Sequence, residues 1–539
     1  MNIMKTSLKF LFVSVLAVYT MSCEEQYPPT NLANNHIIPK PASVVATHGT
    51  FVLDKDAVIF YDSGNEDLKK NAGYLAGLLR PSTGFVIETK ATSQNPGDGI
   101  YLTTGADKDS LLGEGGYELV ISEKQVKISS PHPDGVFYGI QTVRQLLPAD
   151  IESKDDTTRE KWFLPTGRIR DWPEYQHRGA MLDVSRHFFG VETVKRFIDY
   201  LALYKFNVLH LHLSDDQGWR IEIESWPNLA RHGGSTEVGG GEGGYYTKDD
   251  YKEIVEYAAD HHITVIPEID MPGHTNAALA SYPELNCDGK ARELYTGTKV
   301  GFSTLCTDKE IVYEFVDDVV REISELTPGP WFHIGGDESH STDHDDYVRF
   351  VNRAREIVNS YGKKVIGWDE IAHADVNSED VVQFWARENN ALQGVKKGAR
   401  VIMSPSSHAY MDIKYDSTTV LGLTWAGLTE VDDAYNWDPV ALVDGIEKID
   451  IIGVEAPLWT ETIESLDDIE YMTFPRLPGY AEIGWTATEN RFWEDYKVRL
   501  GKQKERFETM DVNYYKSPLV PWQDEEDIFI DEQKEGEVK

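Results

Sequence analysis

Eight times between residues 179 and 460 the sequence alternates a short β-rich apolar run with a segment of helical periodicity, and this pattern restricts the fold more than any other feature. The runs are GAMLDVS (179–185), VLHLHLSD (208–215), TVIPEID (264–270), WFHIGGDE (331–338), KVIGWDE (364–370), VVQFWA (381–386), RVIMSPS (400–406) and IIGVEAPLWT (451–460). Strands that return through helices pair in parallel, and eight of them close a barrel. The expected fold class is therefore α/β, a (β/α)8 TIM barrel. Val191, Val194, Ile198, Leu201 and Tyr204 share one helical face, as do Ile311, Phe315, Val319 and Ile323. Thr307 with Glu310 predicts a capping box at the start of the second helix. The connection between the fifth and sixth strands is short and carries the weakest helical signal. The insertion at 271–306, with its Pro, Gly and Asn, reads as a loop over the face that would hold a site.

Upstream, VIFY (58–61), GFVIET (84–89), YELVIS (117–122) and QVKISS (125–130) alternate with turn signals and with helical stretches near 66–80 and 134–147. They predict a small α+β domain. PTGRIRDWPEY (165–175), with a proline near each end, is the expected linker. At the N-terminus Lys5 and Lys9 precede an apolar run from Phe10 to Val18 and then small residues, the layout of a secretory signal. Cys23 falls where bacterial lipoproteins carry a lipid-modified cysteine, although Thr20 replaces the usual apolar residue; an ordinary cleaved signal is the alternative. The expected divisions are thus 1–23 as signal, 24–170 as the α+β domain, 171–515 as the barrel and 516–539 as an acidic tail. The expected location is the periplasm or outer membrane. A formal charge of −38 repels nucleic acid and anionic lipid. Cys287 and Cys306 are able to pair in an oxidising compartment, but spacing alone does not establish contact. No Cys/His run of metal-ligand spacing appears, so neither metal nor cofactor is expected.

The chemistry gathers where the strands end. Ser185, Arg186 and His187 follow the first strand, Asp215 and Asp216 end the second, and Asp270 and His274 follow the third. Asp337 and Glu338 end the fourth, Trp368, Asp369 and Glu370 the fifth, and Trp385 the sixth; Tyr410 and Asp412 follow the seventh, and Trp459 and Glu461 the eighth. Singly, such an Asp caps a helix and such a Trp packs a core. Together they choose one end of the barrel, the end that carries active sites, and structural charges have no reason to do that. Aromatic faces with carboxylates and an Arg suit a sugar ring. Glycoside hydrolysis ordinarily places two carboxyls about 5–9.5 Å apart across the bond. Asp337 and Glu338 are neighbours, and neighbours on a strand face opposite ways. The conflict disappears if alternation breaks at the strand end and if the substrate supplies its own nucleophile, a 2-acetamido group.

The motifs HRGAMLDVSRHF (177–188), NVLHLHLSDDQGWR (207–220), PEIDMPGHTNAA (267–278), HIGGDE (333–338), GWDE (367–370), YMDIKYD (410–416) and LWTE (458–461) resemble, in order, those of glycoside hydrolase family 20, the β-N-acetylhexosaminidases. The resemblance implies that Glu338 is the general acid/base, starting protonated with a raised pKa. It also implies that Asp337 orients the acetamido group and balances an oxazolinium intermediate. By the same resemblance Arg186 holds the 3- and 4-hydroxyls and Glu461 assists at positions 4 and 6. Trp368, Trp385 and Trp459 wall the pocket, Tyr410 bonds the acetamido oxygen and Asp412 a hydroxyl. Asp215 and His274 form a supporting acid/imidazole pair. The partner implied is an oligosaccharide or glycan ending in β-linked GlcNAc or GalNAc, cleaved from its end with retention. Two other readings compete: a sugar-binding lipoprotein without turnover, which would need no acid/base pair, and an endo-acting chitinase, whose DxxDxDxE-like strand is absent from the barrel segment.

Overall fold

The computed structural model describes residues 30–105 and 111–522. The predicted signal, Cys23 and the tail beyond residue 522 lie outside them. Among the described residues no helix is long and apolar enough to cross a membrane.

Seven strands form the first sheet: β1 (Ser43–Leu53), β2 (Val58–Asp62), β3 (Glu88–Thr92), β4 (Gly99–Thr103), β5 (Tyr117–Ile121), β6 (Gln125–Ser129) and β7 (Trp162–Asp171), in the order β1-β7-β5-β6-β4-β2-β3. Helices Glu66–Thr83 and Pro133–Leu146 join and cover them. β3 begins four residues later than GFVIET predicts, because Gly84, at φ 65°, caps the preceding helix. The expected linker is corrected more substantially. Residues 162–171 are β7, an interior strand between β1 and β5, and only the next five residues connect the domains. Pro165 is tolerated because it pairs with Thr50 beside a bulge in β1, where the ladder is already interrupted.

Asp171, at the end of β7, ties the two domains together. Its carboxylate accepts hydrogen bonds from Tyr117 Oη (2.8 Å), Lys205 Nζ (3.0 Å), Trp485 Nε1 (2.9 Å) and the Ala42 amide (3.0 Å). Lys205 and Asp171 are fully buried.

The eight predicted runs coincide with the eight strands of a closed parallel barrel, the first of which starts two residues before its run: β8 (His177–Asp183), β9 (Val208–His212), β10 (Thr264–Glu268), β11 (Trp331–His333), β12 (Lys364–Trp368), β13 (Val381–Phe384), β14 (Arg400–Met403) and β15 (Ile451–Leu458). Inward positions climb the barrel two residues at a time. Val208, Ile266, Ile366, Val381 and Ile402 form one apolar cluster; two residues further on, His210, Glu268, Trp368 and Gln383 replace them with polar groups and an indole. Between β12 and β13 the chain makes only a 3-10 turn, Asp369–His373, too short for the usual α-helix. The helix Glu310–Leu326 buries Phe315, Val319 and Ile323, but the predicted capping box does not form. Lys309 is its N-cap, and Thr307 instead presents its carbonyl to Tyr313 Oη at 2.7 Å. Residues 517–522 run back over the barrel, with Ser517 and Val520 buried.

Candidate active site

Strand alternation ends before the acidic pair is reached. β11 stops at His333, and the chain then takes positive φ at Gly335 (64°), Gly336 (100°) and Glu338 (45°). A Cβ on Gly335 would lie 1.9 Å from Asp270 Oδ1, and that same oxygen accepts the Gly336 amide at 2.9 Å. The turn therefore needs glycine and is pinned by the end of the third barrel strand. Its result is that both Asp337 and Glu338 line one cavity of about 330 Å³. Glu338 is not glycine, and holding it in the left-handed region costs about 1–3 kcal/mol, the kind of strain found where side-chain direction matters more than stability.

His274, also left-handed at φ 53°, stands behind the pair. Its Nε2 lies 3.6 Å from Asp337 Oδ2 and 3.5 Å from Glu338 Oε2, while Nδ1 meets Asp215 Oδ1 at 3.2 Å. Asp215 is also paired with Arg186 Nη2 (2.9 Å) and His212 Nε2 (2.8 Å). Buried Asp215 is held well below the ordinary carboxylate range by Arg186 and His274, which outweigh desolvation. His274 is pushed well above the ordinary imidazole value, because Asp215 and Asp337 outweigh its burial. Burial also lifts Glu338, but the His274 imidazolium, with Arg186 and His340 beyond it, reverses this and holds the carboxyl low. This corrects the expectation of a raised Glu338 in the free site. The raised group is Asp337, through burial and then the charge of Asp270, which itself sits at about 7.

The rest of the cavity wall is aromatic and charged. Arg186, Trp385, Tyr410, Asp412, Trp459 and Glu461 all face the cavity. Trp385 and Tyr410 are near-parallel, 6.4 Å apart, and the Arg186 guanidinium lies 4.7 Å over the Trp459 ring. Both carboxylate oxygens of Asp412, Glu461 Oε2 and Asp337 Oδ1 are buried without a hydrogen-bond partner among the described residues. Buried polar atoms without partners are expensive, and a ligand rich in hydroxyl and amide donors satisfies them. Burial and their mutual charge push the Asp412 carboxyl well up, and burial raises Glu461 despite Arg186.

Trp368, expected in the wall, stands behind it: it is buried, packs against Trp459 and donates Nε1 to Glu268 Oε1 at 2.8 Å. Thr298, Val300, Leu423 and Trp425 complete the cavity and were not anticipated. Only Trp425 left a signal, an indole in the long connection after the seventh strand. Thr298 and Val300 come from the predicted active-face insertion. That insertion is anchored by the Cys287–Cys306 disulfide and by Asp216 Oδ1, which accepts from the Asn276 amide (2.9 Å) and Ser303 Oγ (2.5 Å).

Beneath the site, Glu268 sits among His210, His212 and His333, and Glu455 accepts from Gln383 and faces His177 and His210. The polar residues at alternate positions of HLH, PE and VE were the overlooked signal for this network. His210, Glu268 and His333 are close enough to share a cation, but Glu268 is held well below its ordinary value by the imidazoles, chiefly His212, and is already neutralised by them.

A (β/α)8 barrel with adjacent carboxyls and aromatic walls at its carboxyl end is the frame of a glycoside hydrolase. Residues 175–488 match the family described as glycosyl hydrolase family 20, catalytic domain, and residues 34–172 match glycosyl hydrolase family 20, domain 2. The chain belongs to glycoside hydrolase family 20. A β-N-acetylhexosaminidase of Cellulomonas fimi is 40% identical over 491 residues, 90% of this chain and 97% of its own length. A solved family 20 β-N-acetylhexosaminidase of Streptomyces coelicolor A3(2) superposes with TM-score 0.88 at 49% identity, covering 92% of this chain and 100% of that one. A mutant Streptomyces plicatus β-hexosaminidase in complex with GlcNAc as product gives TM-score 0.88 at 48% identity, covering 92% of this chain and 99% of its own.

Proposed function

We propose that the chain is a retaining exo-β-N-acetylhexosaminidase, removing terminal GlcNAc or GalNAc by substrate-assisted catalysis. One observation carries this: Asp337 and Glu338 emerge side by side on one wall, with His274 Nε2 within 3.6 Å of the first and 3.5 Å of the second. Adjacent carboxyls do not straddle a glycosidic bond. They do serve a substrate whose acetamido carbonyl attacks its own anomeric carbon. Glu338 protonates the leaving oxygen and then activates water; Asp337 accepts the acetamido N–H and offsets the oxazolinium charge. Arg186 and Glu461 bind ring hydroxyls, Asp412 takes a further hydroxyl, Tyr410 meets the acetamido oxygen, and Trp385 and Trp459 enclose the ring. In the free pocket burial and the charge of Asp270 raise the Asp337 carboxyl, while His274 lowers that of Glu338, so Asp337 holds a proton more readily than Glu338 does. Catalysis needs the reverse, and burying Glu338 under the leaving group drives it that way.

The test is hydrolysis of aryl β-GlcNAc, β-GalNAc and β-glucoside by wild type, Glu338→Gln and Asp337→Asn. Cleavage confined to acetamido sugars, lost in both variants and blocked by a thiazoline mimic, supports the mechanism. Comparable glucoside cleavage removes the role given to Asp337. The first 23 residues support export and lipid attachment at Cys23; a Cys23→Ala chain released from the membrane fraction supports the anchor, and unchanged partition refutes it.

A further inference from the structure

A second cavity, of about 280 Å³, adjoins the sugar pocket and shares Glu338 with it. Its lining differs in kind: His340, His344, His373 and Arg387 converge there with Thr342 and Glu370. The His344 and His373 rings meet edge to face at 5.3 Å. Arg387 is exposed; its backbone amide donates to Asp369, and its guanidinium makes no ion pair or hydrogen bond with any described residue. In a chain of formal charge −38, a concavity lined by one unpaired guanidinium and three imidazoles is rich in donors for an anion, although burial and the neighbouring His344 hold His373 below the ordinary imidazole value. Of the two acids the cavity contains, one is neutral and the other, Glu338, is held low in the free site but takes up a proton in the reaction proposed above. Glu370 is pushed up to about 8 by burial and the neighbouring Asp369 and Asp337, so it is neutral at neutral pH. Glu338 must carry a proton to act.

We propose that this cavity is a subsite for an anionic substituent, a sulfate or a carboxylate, on the sugar that leaves. The inference rests on the hydrolase reading above, because the cavity lies beside the group assigned to the leaving oxygen. Arg387 gives the planar fork that both oxyanions accept, and imidazole N–H groups and the Thr342 hydroxyl supply further donors. The arrangement has a catalytic consequence. His340 is among the positive groups that hold Glu338 ionised in the free site. An anion placed against His340 and Arg387 offsets that field and favours protonated Glu338, so it would assist leaving-group departure as well as binding.

The test uses three disaccharides with the same terminal β-GlcNAc and linkage, whose reducing sugars are galactose, galactose 6-sulfate and glucuronate. Wild type, Arg387→Ala and His344→Ala are compared; both positions are exposed, so folding is not at stake. The expected result is a kcat/KM about ten-fold higher for at least one charged disaccharide, equivalent to about 1.4 kcal/mol. That advantage should vanish in Arg387→Ala and shrink in His344→Ala, with the neutral substrate unchanged in both. An advantage for the sulfate alone or the uronate alone identifies which oxyanion fits. Equal rates for charged and neutral substrates in wild type, or an advantage that survives Arg387→Ala, overturns the proposal. Failure to cleave even aryl β-GlcNAc would overturn the hydrolase reading instead, and the two failures are thereby distinct.

Discussion

His274 turns Nε2 toward Glu338 Oε2 at 3.5 Å while Asp215 holds its other nitrogen, so the residue proposed as acid/base faces a positive charge. That charge explains why the carboxyl is depressed although largely buried. In His274→Gln the hydrogen-bonding capacity remains and the charge does not. Glu338 should then titrate at higher pH, moving its limb of the kcat/KM profile upward by about one unit. Loss of one charge-assisted contact should also lower kcat on the order of ten-fold. A pH profile that keeps its shape while only its amplitude falls would show that His274 supports the fold rather than the proton.

Trp425 is 55% exposed, yet it meets Trp385 at 6.0 Å and Tyr410 at 5.9 Å, both nearly edge-on. Its exposed face borders the cavity beside Trp385 and Tyr410. Trp425→Ala should raise KM for disaccharides by about five- to ten-fold through lost stacking of about 1–1.5 kcal/mol, with little change in kcat. Steady-state kinetics on an aryl glycoside and a disaccharide would check this; a fall in kcat alone contradicts it.

Asp171 and Lys205 form a buried ion pair at the domain joint. Asp171→Ala leaves an ammonium with Tyr117 Oη as its remaining partner and should destabilise by about 3–5 kcal/mol. Asp171→Ala with Lys205→Met removes the stranded charge and should recover part of that loss. Denaturant unfolding of the single and double variants decides it, and a double variant no more stable than the single would show that the penalty comes from lost packing.

The barrel was legible because each strand is a short apolar run that ends in polar residues, and the polar ends themselves marked the site. What was missed has physical causes. β7 reads as a linker since Pro165 lies within it and Pro173 just beyond it, and only its register with the bulged β1 shows why Pro165 is tolerated. Trp368 looks like pocket wall from its strand-end position, but being on an inward position it fills the barrel axis above Ile366 and bonds Glu268. The depression of Glu338 was invisible because it depends on the through-space approach of His274, sixty-four residues earlier in the chain. Arg387 and His344 carry no motif, and their convergence beside Glu338 exists only in the fold.

Glu370 accepts the Trp385 indole N–H at 3.0 Å and so sets the angle of one pocket wall. Its carboxyl, at about 8, is protonated in neutral solution because burial and the nearby Asp369 and Asp337 oppose its charge. Glu370→Gln preserves size, neutrality and an acceptor for the indole, so at pH 6 it should behave like wild type. Glu370→Ala removes the acceptor and should lower kcat/KM roughly five-fold, the worth of about 1 kcal/mol. The sign reverses with pH. As pH rises through about 8 the wild-type carboxyl ionises. The new negative charge then works against ionised Asp337, the form the proposed mechanism needs. Wild type should therefore lose kcat/KM above pH 8 through a step that Glu370→Gln lacks. Profiles of the two proteins from pH 5 to 10 would separate the cases, and coincident alkaline limbs would mean that Glu370 does not communicate with Asp337.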